Sequence, residues 1–192
     1  MPFSSTTFDT IFRGNALSIK PTSMLDVGAG AGKYGKIIKE LFPKCALQAI
    51  EPTEGYVEEY KLRDTYDRVH RKTIHDYCNE NAHERHDLVV FGDVLEHFYR
   101  SQAIDLLDYF LYRAGWVIAI WPSNMPQDAW HGNAFEIHKS NFSLNDLASK
   151  FDVQYYTKAF GWFHWNDAEM THCWYNYAVM RGYVTKRNVS LC

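Results

Sequence analysis

Short apolar runs alternate with amphipathic stretches along this chain, and their spacing predicts a regular succession of strands and helices. Met24 to Val27, Ala46 to Ile50, Asp87 to Phe91 and Trp116 to Trp121 are brief and almost wholly apolar, as expected of strands buried on both faces. Helix-periodic segments lie between them. They run from Phe8 to Ser18, from Lys33 to Phe42 where Pro43 stops the helix, around Tyr56 to Arg63, from Ser101 to Arg113, and near Leu144 to Lys150. A weaker strand, Asp67 to Arg71, leads into Thr73-Ile74-His75-Asp76, and no element is predicted there. Two aromatic-rich runs, Val153 to Ala159 and His172 to Met180, read as closing strands. Strands and helices in alternation predict βαβ units around a parallel sheet. No internal repeat, low-complexity tract or linker interrupts the pattern.

The first strand runs into Gly28-Ala29-Gly30-Ala31-Gly32 and then into a helix. Glycine is needed where backbone turns sharply and a ligand approaches without a Cβ in the way, and the following helix presents unpaired N–H groups to an anion. The dinucleotide pattern GxGxxG/A read from Gly28 fails at Lys33. The phosphate loop GxxxxGK[ST] fails at Val27 and Tyr34. What remains is GxGxG with Asp26 two places before the first glycine. That pattern suits S-adenosylmethionine, whose amino-acid end carries a carboxylate for backbone N–H groups and an ammonium for a carboxylate or carbonyl. A glycine-rich turn of some other α/β domain is the alternative. The second strand ends in Glu51-Pro52, about 20 positions after the glycines, where a carboxylate grips ribose hydroxyls. An ordinary solvated strand-end carboxylate is the competing reading of Glu51.

At 192 residues with 46% hydrophobic content, the chain has the length and apolar share of one globular domain, 1–192. A net charge of −3 and the lack of any lysine and arginine run give no footprint for nucleic acid or an anionic membrane. The opening residues carry no signal-peptide pattern, and no stretch approaches the roughly 18 apolar residues of a membrane span. A cytoplasmic location is therefore expected. Cys45, Cys78, Cys173 and Cys192 are scattered without CxxC spacing and read as reduced thiols. His83 and His86 lack further ligands nearby and read as a solvated loop, so no metal is expected from them.

With Leu25 to Gly32, Glu51 and Gly92-Asp93-Val94-Leu95-Glu96-His97 in view, the chain resembles the class I S-adenosylmethionine-dependent methyltransferases over nearly its whole length. The Asp-Val-Leu-Glu-His string is similar to that of a large branch acting on small substrates. The resemblance implies a Rossmann-like, doubly wound, seven-stranded mixed sheet, mostly parallel with the last strand antiparallel and helices on both faces. It implies S-adenosylmethionine as cofactor, bound by Asp26, Gly28, Ala29, Gly30, Lys33, Tyr34, Glu51, Pro52, Thr73, Ile74, Gly92 and Asp93. Thr73 and Ile74 fall where the family places adenine contacts. An aspartate commonly stands at the Thr73 position, and Asp76 is the available substitute. The sequence after strand four lacks the Asn/Asp-Pro-Pro-aromatic and Pro-Cys signatures of nucleic-acid methyltransferases, so chemistry joins charge in disfavouring nucleic acid.

Gly132-Asn133-Ala134-Phe135-Glu136-Ile137-His138-Lys139-Ser140-Asn141-Phe142 resembles a segment of methyltransferases associated with surface-glycan or lipid-carbohydrate pathways. Placed after strand five, it would face the acceptor crevice, although its polar residues also serve as caps of a following helix, with Asn141 or Ser143 in that role. Trp130, Asn133, Glu136, His138 and Trp162 are the candidate acceptor contacts. Methyl transfer from a sulfonium is an in-line displacement, and a hydroxyl acceptor must lose its proton. His138, His131, His97 and Asp93 are the candidate bases, and each also has a structural reading as a cap or loop anchor. A metal-assisted mechanism through Asp93 and Asn124 is weighed and set below these. Two readings stay open: an active methyltransferase on a small-molecule or glycan-like acceptor, best suited to oxygen, and a regulatory or partner protein that binds the cofactor without catalysis.

Overall fold

The computed structural model describes residues 4–165 and 169–183, the side chains of 161–172 excepted. Strands β1 (Ser23–Val27), β2 (Ala46–Ile50), β3 (Arg68–His70), β4 (His86–Gly92) and β5 (Ala114–Ser123) pair in parallel. Strand β7 (Glu169–Arg181) lies antiparallel between β5 and β6 (Val153–Trp165), so the sheet order is β3-β2-β1-β4-β5-β7-β6. This is the seven-stranded mixed sheet with a reversed last strand that the family resemblance implies.

Because successive strand residues point to opposite faces, each strand feeds two cores. Met24, Leu47, Ala49, Leu88, Val90, Ile118 and Ile120 pack on one face against Phe12 and Ala16 of α1 (Asp9–Ile19) and Ile37 and Ile38 of α2 (Lys33–Leu41). Leu25, Val27, Val89, Phe91, Val117 and Ala119 pack on the other. That second face is covered by α5 (Ile74–Glu80), α6 (Arg100–Leu111) and α7 (Leu144–Ala148) through Tyr77, Leu107 and Leu147. Each such side chain contributes about 1.5–3 kcal/mol relative to exposure, and the gain requires helices on both sides.

Two helical regions differ from the sequence pattern. The helix expected around Tyr56 to Arg63 is two pieces, α3 (Glu54–Glu59) and α4 (Leu62–Thr65), because Lys61 turns the chain at φ 49°. The turn lets Val57 and Leu62 both reach the same core. Helix α5 begins where no element was predicted. Its first turn is closed by Thr73, whose Oγ accepts from the Asp76 amide at 3.2 Å and donates to its carboxylate at 2.6 Å. β6 and β7 extend beyond the aromatic runs that marked them, since pairing continues along the hairpin to Trp165 and Glu169. Cys45, Cys78 and Cys173 are free thiols, and no helix among the described residues is long and apolar enough to cross a membrane.

Asp26 sits in the centre of this sheet, 1% exposed, and accepts the Tyr66 hydroxyl at 2.5 Å. Burial pushes its carboxyl up to about 7, against the Tyr66 and Gly35 hydrogen bonds that lower it. A group whose folded pKa lies above its unfolded value favours folding below the unfolded value and loses that advantage as pH rises through the folded one. The Asp26 contribution therefore declines between about pH 4 and 7, by up to about 1.4 kcal/mol per pH unit. Asp26→Asn keeps an acceptor for Tyr66 and removes the titration. Denaturant unfolding between pH 4 and 8 is expected to show a shallower loss of stability in this variant than in the wild type; identical slopes would remove Asp26 as the source.

Candidate active site

The strand order reverses between β1 and β4, the place where open α/β sheets leave a crevice at the carboxyl ends of their strands. A cavity of about 300 Å³ occupies that crevice. Its floor is the turn after β1. Gly28 and Gly30 adopt φ of 66° and 50°, values that favour glycine. A Cβ on Gly28 would lie 2.6 Å from Val94 Cγ2, and one on Gly92 would collide with the Tyr34 ring. The turn is held to β2: the Gly28 and Ala29 amides donate to Ile50 O at 2.8 and 3.1 Å, and the Gly30 amide donates to Glu51 Oε2 at 2.9 Å. These amides thus shape the cradle, with protein acceptors of their own.

Glu51 is 4% exposed and its other oxygen accepts the Thr53 amide at 2.8 Å. Burial raises its pKa, while the amides of Thr53 and Gly30 work in the opposite direction. The carboxylate also takes the Thr53 hydroxyl and keeps acceptor capacity for a ligand hydroxyl. Beside it, Ile50, Ile74 and Phe98 form an apolar wall, with His75 edge-on to Phe98 at 5.8 Å. Across the cavity, Asp93 takes φ 57° at the end of β4, a left-handed conformation that aspartate tolerates better than most residues. Burial raises its carboxyl to about 6, offset by the hydroxyls of Ser4 and Tyr175. Next comes a single turn of 3-10 helix, Leu95–His97, which buries Glu96 and turns His97 toward the cavity.

The segment after β5 closes this end. Lys139 and Ser140 amides donate to Glu96 O at 2.7 and 3.2 Å, and Ser140 Oγ donates to Phe98 O at 2.6 Å. Gln127 Nε2 donates to Glu136 O at 2.6 Å. A second 3-10 turn, Ala134–Glu136, brings Phe135 and Glu136 into the cavity lining, where Glu136 accepts the Tyr56 hydroxyl at 3.0 Å. The rings of His97 and His138 meet edge-to-face with centroids 5.0 Å apart. Burial lowers both imidazoles, His97 to about 4, so both are neutral near pH 7.

Of the residues singled out in the sequence, Gly28, Ala29, Gly30, Glu51, Pro52, Thr73, Ile74, Gly92, Asp93, His97 and Glu136 line this one cavity. Others serve nearby. Asp26 lies beneath the turn on Tyr66, and Tyr34 packs on Phe12 at 4.9 Å under Gly92. Lys33 reaches away from the cavity to the Asp9 carboxylate at 2.5 Å and to Ser5 O. Asp76 is engaged by Thr73 and is not part of the lining. Trp130, His131 and Asn133 line a neighbouring depression that shares Thr53 and Tyr56 with the main cavity. Asn133 Nδ2 donates to Thr53 Oγ there at 3.2 Å. Asn124 pairs with Asn141 at 2.5 Å, and Ser143 closes the first turn of α7 with Asp146. The side chain of Trp162 lies outside the described residues. Ser4, Thr53, Tyr56, His75, Phe98 and Gln102 also line it without having been singled out as site residues, and nothing in their type or spacing marks them.

No protein-family model matches the sequence, and comparison with curated proteins finds no match. Solved structures do match in fold. TehB from Haemophilus influenzae superimposes with a TM-score of 0.65 at 16% identity over 92% of this chain, which spans only 63% of the TehB chain. The N-terminal domain of EvdMO1 with SAH bound gives 0.62 at 12% identity, covering 93% of this chain and 82% of that one. The N-methyltransferase NodS from Bradyrhizobium japonicum WM9, in complex with S-adenosyl-L-homocysteine, gives 0.59 at 15% identity, with 92% and 88% covered. The chain therefore has the Rossmann-like fold seen in solved methyltransferases.

Proposed function

We propose that residues 1–192 form one domain that transfers a methyl group from S-adenosylmethionine to the oxygen of a small-molecule or glycan-like acceptor. The supporting observation is the charge of the crevice. Glu51, Glu96 and Glu136 are buried around it, with the Asp93 carboxylate beside them, and no lysine or arginine among the described residues is buried. Buried carboxylates are costly unless a cation or a proton meets them. S-adenosylmethionine supplies two cationic centres, an ammonium and a sulfonium whose methyl group leaves a neutral thioether behind. The likeness to structures solved with its demethylated product supports the same choice.

In this reading Glu51 accepts ribose hydroxyls with its free lone pairs, and Ile50, Ile74 and Phe98 offer a slot for a purine face. Thr73 has a structural reason to stand at its position, as the cap of α5. Asp93 and the turn at Gly28 to Gly30 hold the amino-acid end, with Asp26, Lys33 and Tyr34 supporting the cradle from behind. The segment 133–140 excludes water and presents Glu136 to acceptor hydroxyls, and the acceptor oxygen is activated beside His97, which His138, itself outside the lining, supports by ring contact. Trp130 and Asn133, in the depression beyond Tyr56, extend the surface for a larger acceptor, and His131 flanks it. The acceptor oxygen forms the new bond to the methyl carbon, the carbon–sulfur pair remains on sulfur, and the hydroxyl proton leaves to water at the cavity mouth.

Calorimetry with S-adenosylmethionine and its demethylated product tests the cofactor: binding is expected below about 1 mM, and its absence refutes the reading. Gly30→Val forces a branched side chain into φ 50° and is expected to weaken binding at least about 100-fold. Wild-type affinity in that variant would place the ligand elsewhere. A labelled-methyl screen over sugars, phenols and amines tests catalysis, and transfer to any of them ends the non-catalytic reading. His138→Ala touches no cavity-lining side chain needed by the cofactor. It should keep product affinity within about threefold while lowering turnover about 100-fold or more. Unchanged turnover removes His138 from the machinery.

A further inference from the structure

We propose that Glu96, His97 and His138 bind one divalent transition-metal ion at the acceptor end of the cavity. The role of this site rests on the methyl-transfer reading, whereas its existence does not. One ligand atom from each of the three residues lies within 4.8 Å of the other two. Glu96 is 1% exposed, and both carboxylate oxygens are buried with no hydrogen-bond partner among the described residues. Its backbone oxygen, by contrast, takes two amides from the facing loop. A carboxylate sealed from water and left without donors is ordinarily expensive, and a cation beside it removes the expense.

The two histidines are oriented in the way that metal-binding imidazoles are. His138 Nδ1 lies 2.6 Å from Met125 O, and His97 Nδ1 lies 3.3 Å from Ile137 O. A carbonyl oxygen only accepts, so each Nδ1 carries its hydrogen and each Nε2 keeps a lone pair for a metal. Two imidazoles and one carboxylate suit zinc, manganese, iron, cobalt or nickel rather than the all-oxygen preference of magnesium and calcium. Such ions hold ligands at about 2.0–2.2 Å, which places ligand atoms roughly 3.0–3.5 Å from one another. From a spacing of at most 4.8 Å, the ligand atoms close on an ion by approaching one another by about 1.5 Å.

The ligands come from two loops, the turn after β4 and the segment after β5, already joined by the Lys139 and Ser140 amides. An ion there fastens the lid to the sheet. His97 lines the cavity, so remaining coordination positions face the acceptor hydroxyl, lower its pKa and let its proton pass to water before the oxygen attacks the methyl carbon. The separation of 41 positions from His97 to His138 hides this set from a search for closely spaced ligands such as His83 and His86.

Chelator-treated full-length protein titrated with Co²⁺, followed by visible absorption, tests the site. One ion per chain is expected, with Glu96→Gln and His138→Ala each weakening binding at least about tenfold and exposed His83→Ala leaving it unchanged. Absence of saturable binding overturns the site, as does wild-type Co²⁺ affinity in Glu96→Gln. Product binding by calorimetry reports whether each variant is folded, and His97→Gln gives the same readout if Glu96→Gln is not. Product binding and methyl transfer without Co²⁺ binding would end the metal site and leave the methyltransferase standing. Co²⁺ binding without cofactor binding would do the reverse.

Discussion

The burial of carboxyl groups around the carboxyl ends of β1, β2 and β4 is the constraint around which the rest of this molecule is arranged. Asp26, Glu51, Glu96 and Glu136 are all buried there, while every lysine and arginine among the described residues is at least partly exposed. Protein interiors avoid this arrangement unless something positive arrives or the groups take up protons. The raised pKa values of Asp26, Glu51, Asp93 and Glu96, each caused chiefly by burial, are the signature of charge that the fold by itself disfavours. Under the proposed function, a cationic ligand relieves that cost.

The scaffold bears that cost by keeping backbone hydrogen bonds satisfied. The glycine turn donates to Ile50 and Glu51, Asp93 donates its amide to Ile120 O at 2.9 Å, and the loop after β5 donates to Glu96 O. Each loop is therefore tied to a neighbouring strand end or turn, and several residues at positive φ, among them Gly28, Gly30, Asp93 and Asn124, lie after strand ends where the chain changes direction. Rigid strands with both faces packed carry these ties, and the chemistry is left to the loops between them.

The strands and most helices were legible because burial on both faces writes an unbroken apolar run, and α1, α2 and α6 carry the 3.6 period. The turn that floors the cavity was legible for a similar local reason: its glycines and Glu51 stand close to strand ends. Helix α5 was missed although Thr73 and Asp76 mark its cap, since seven residues give periodicity little to work with. The break at Lys61 has no sequence signal, because lysine gives no warning of a left-handed turn. The acceptor end was the least legible part. His97 and His138 were seen as separate bases, and only the docking of the β5 loop onto the turn after β4 puts them in contact. Lys33 and Tyr34 show the opposite effect: adjacency to the glycines suggested cofactor contact, yet the direction of α2 turns them toward Asp9 and Phe12.

The central claim is that this acid-lined crevice holds the sulfonium cofactor with its ribose at Glu51. A crystal structure of the chain with S-adenosyl-L-homocysteine measures it directly. The account predicts ribose hydroxyls within about 3.2 Å of the Glu51 carboxylate and the purine against Ile74. Ligand bound away from the cavity, or ribose oxygens that avoid Glu51, would contradict it.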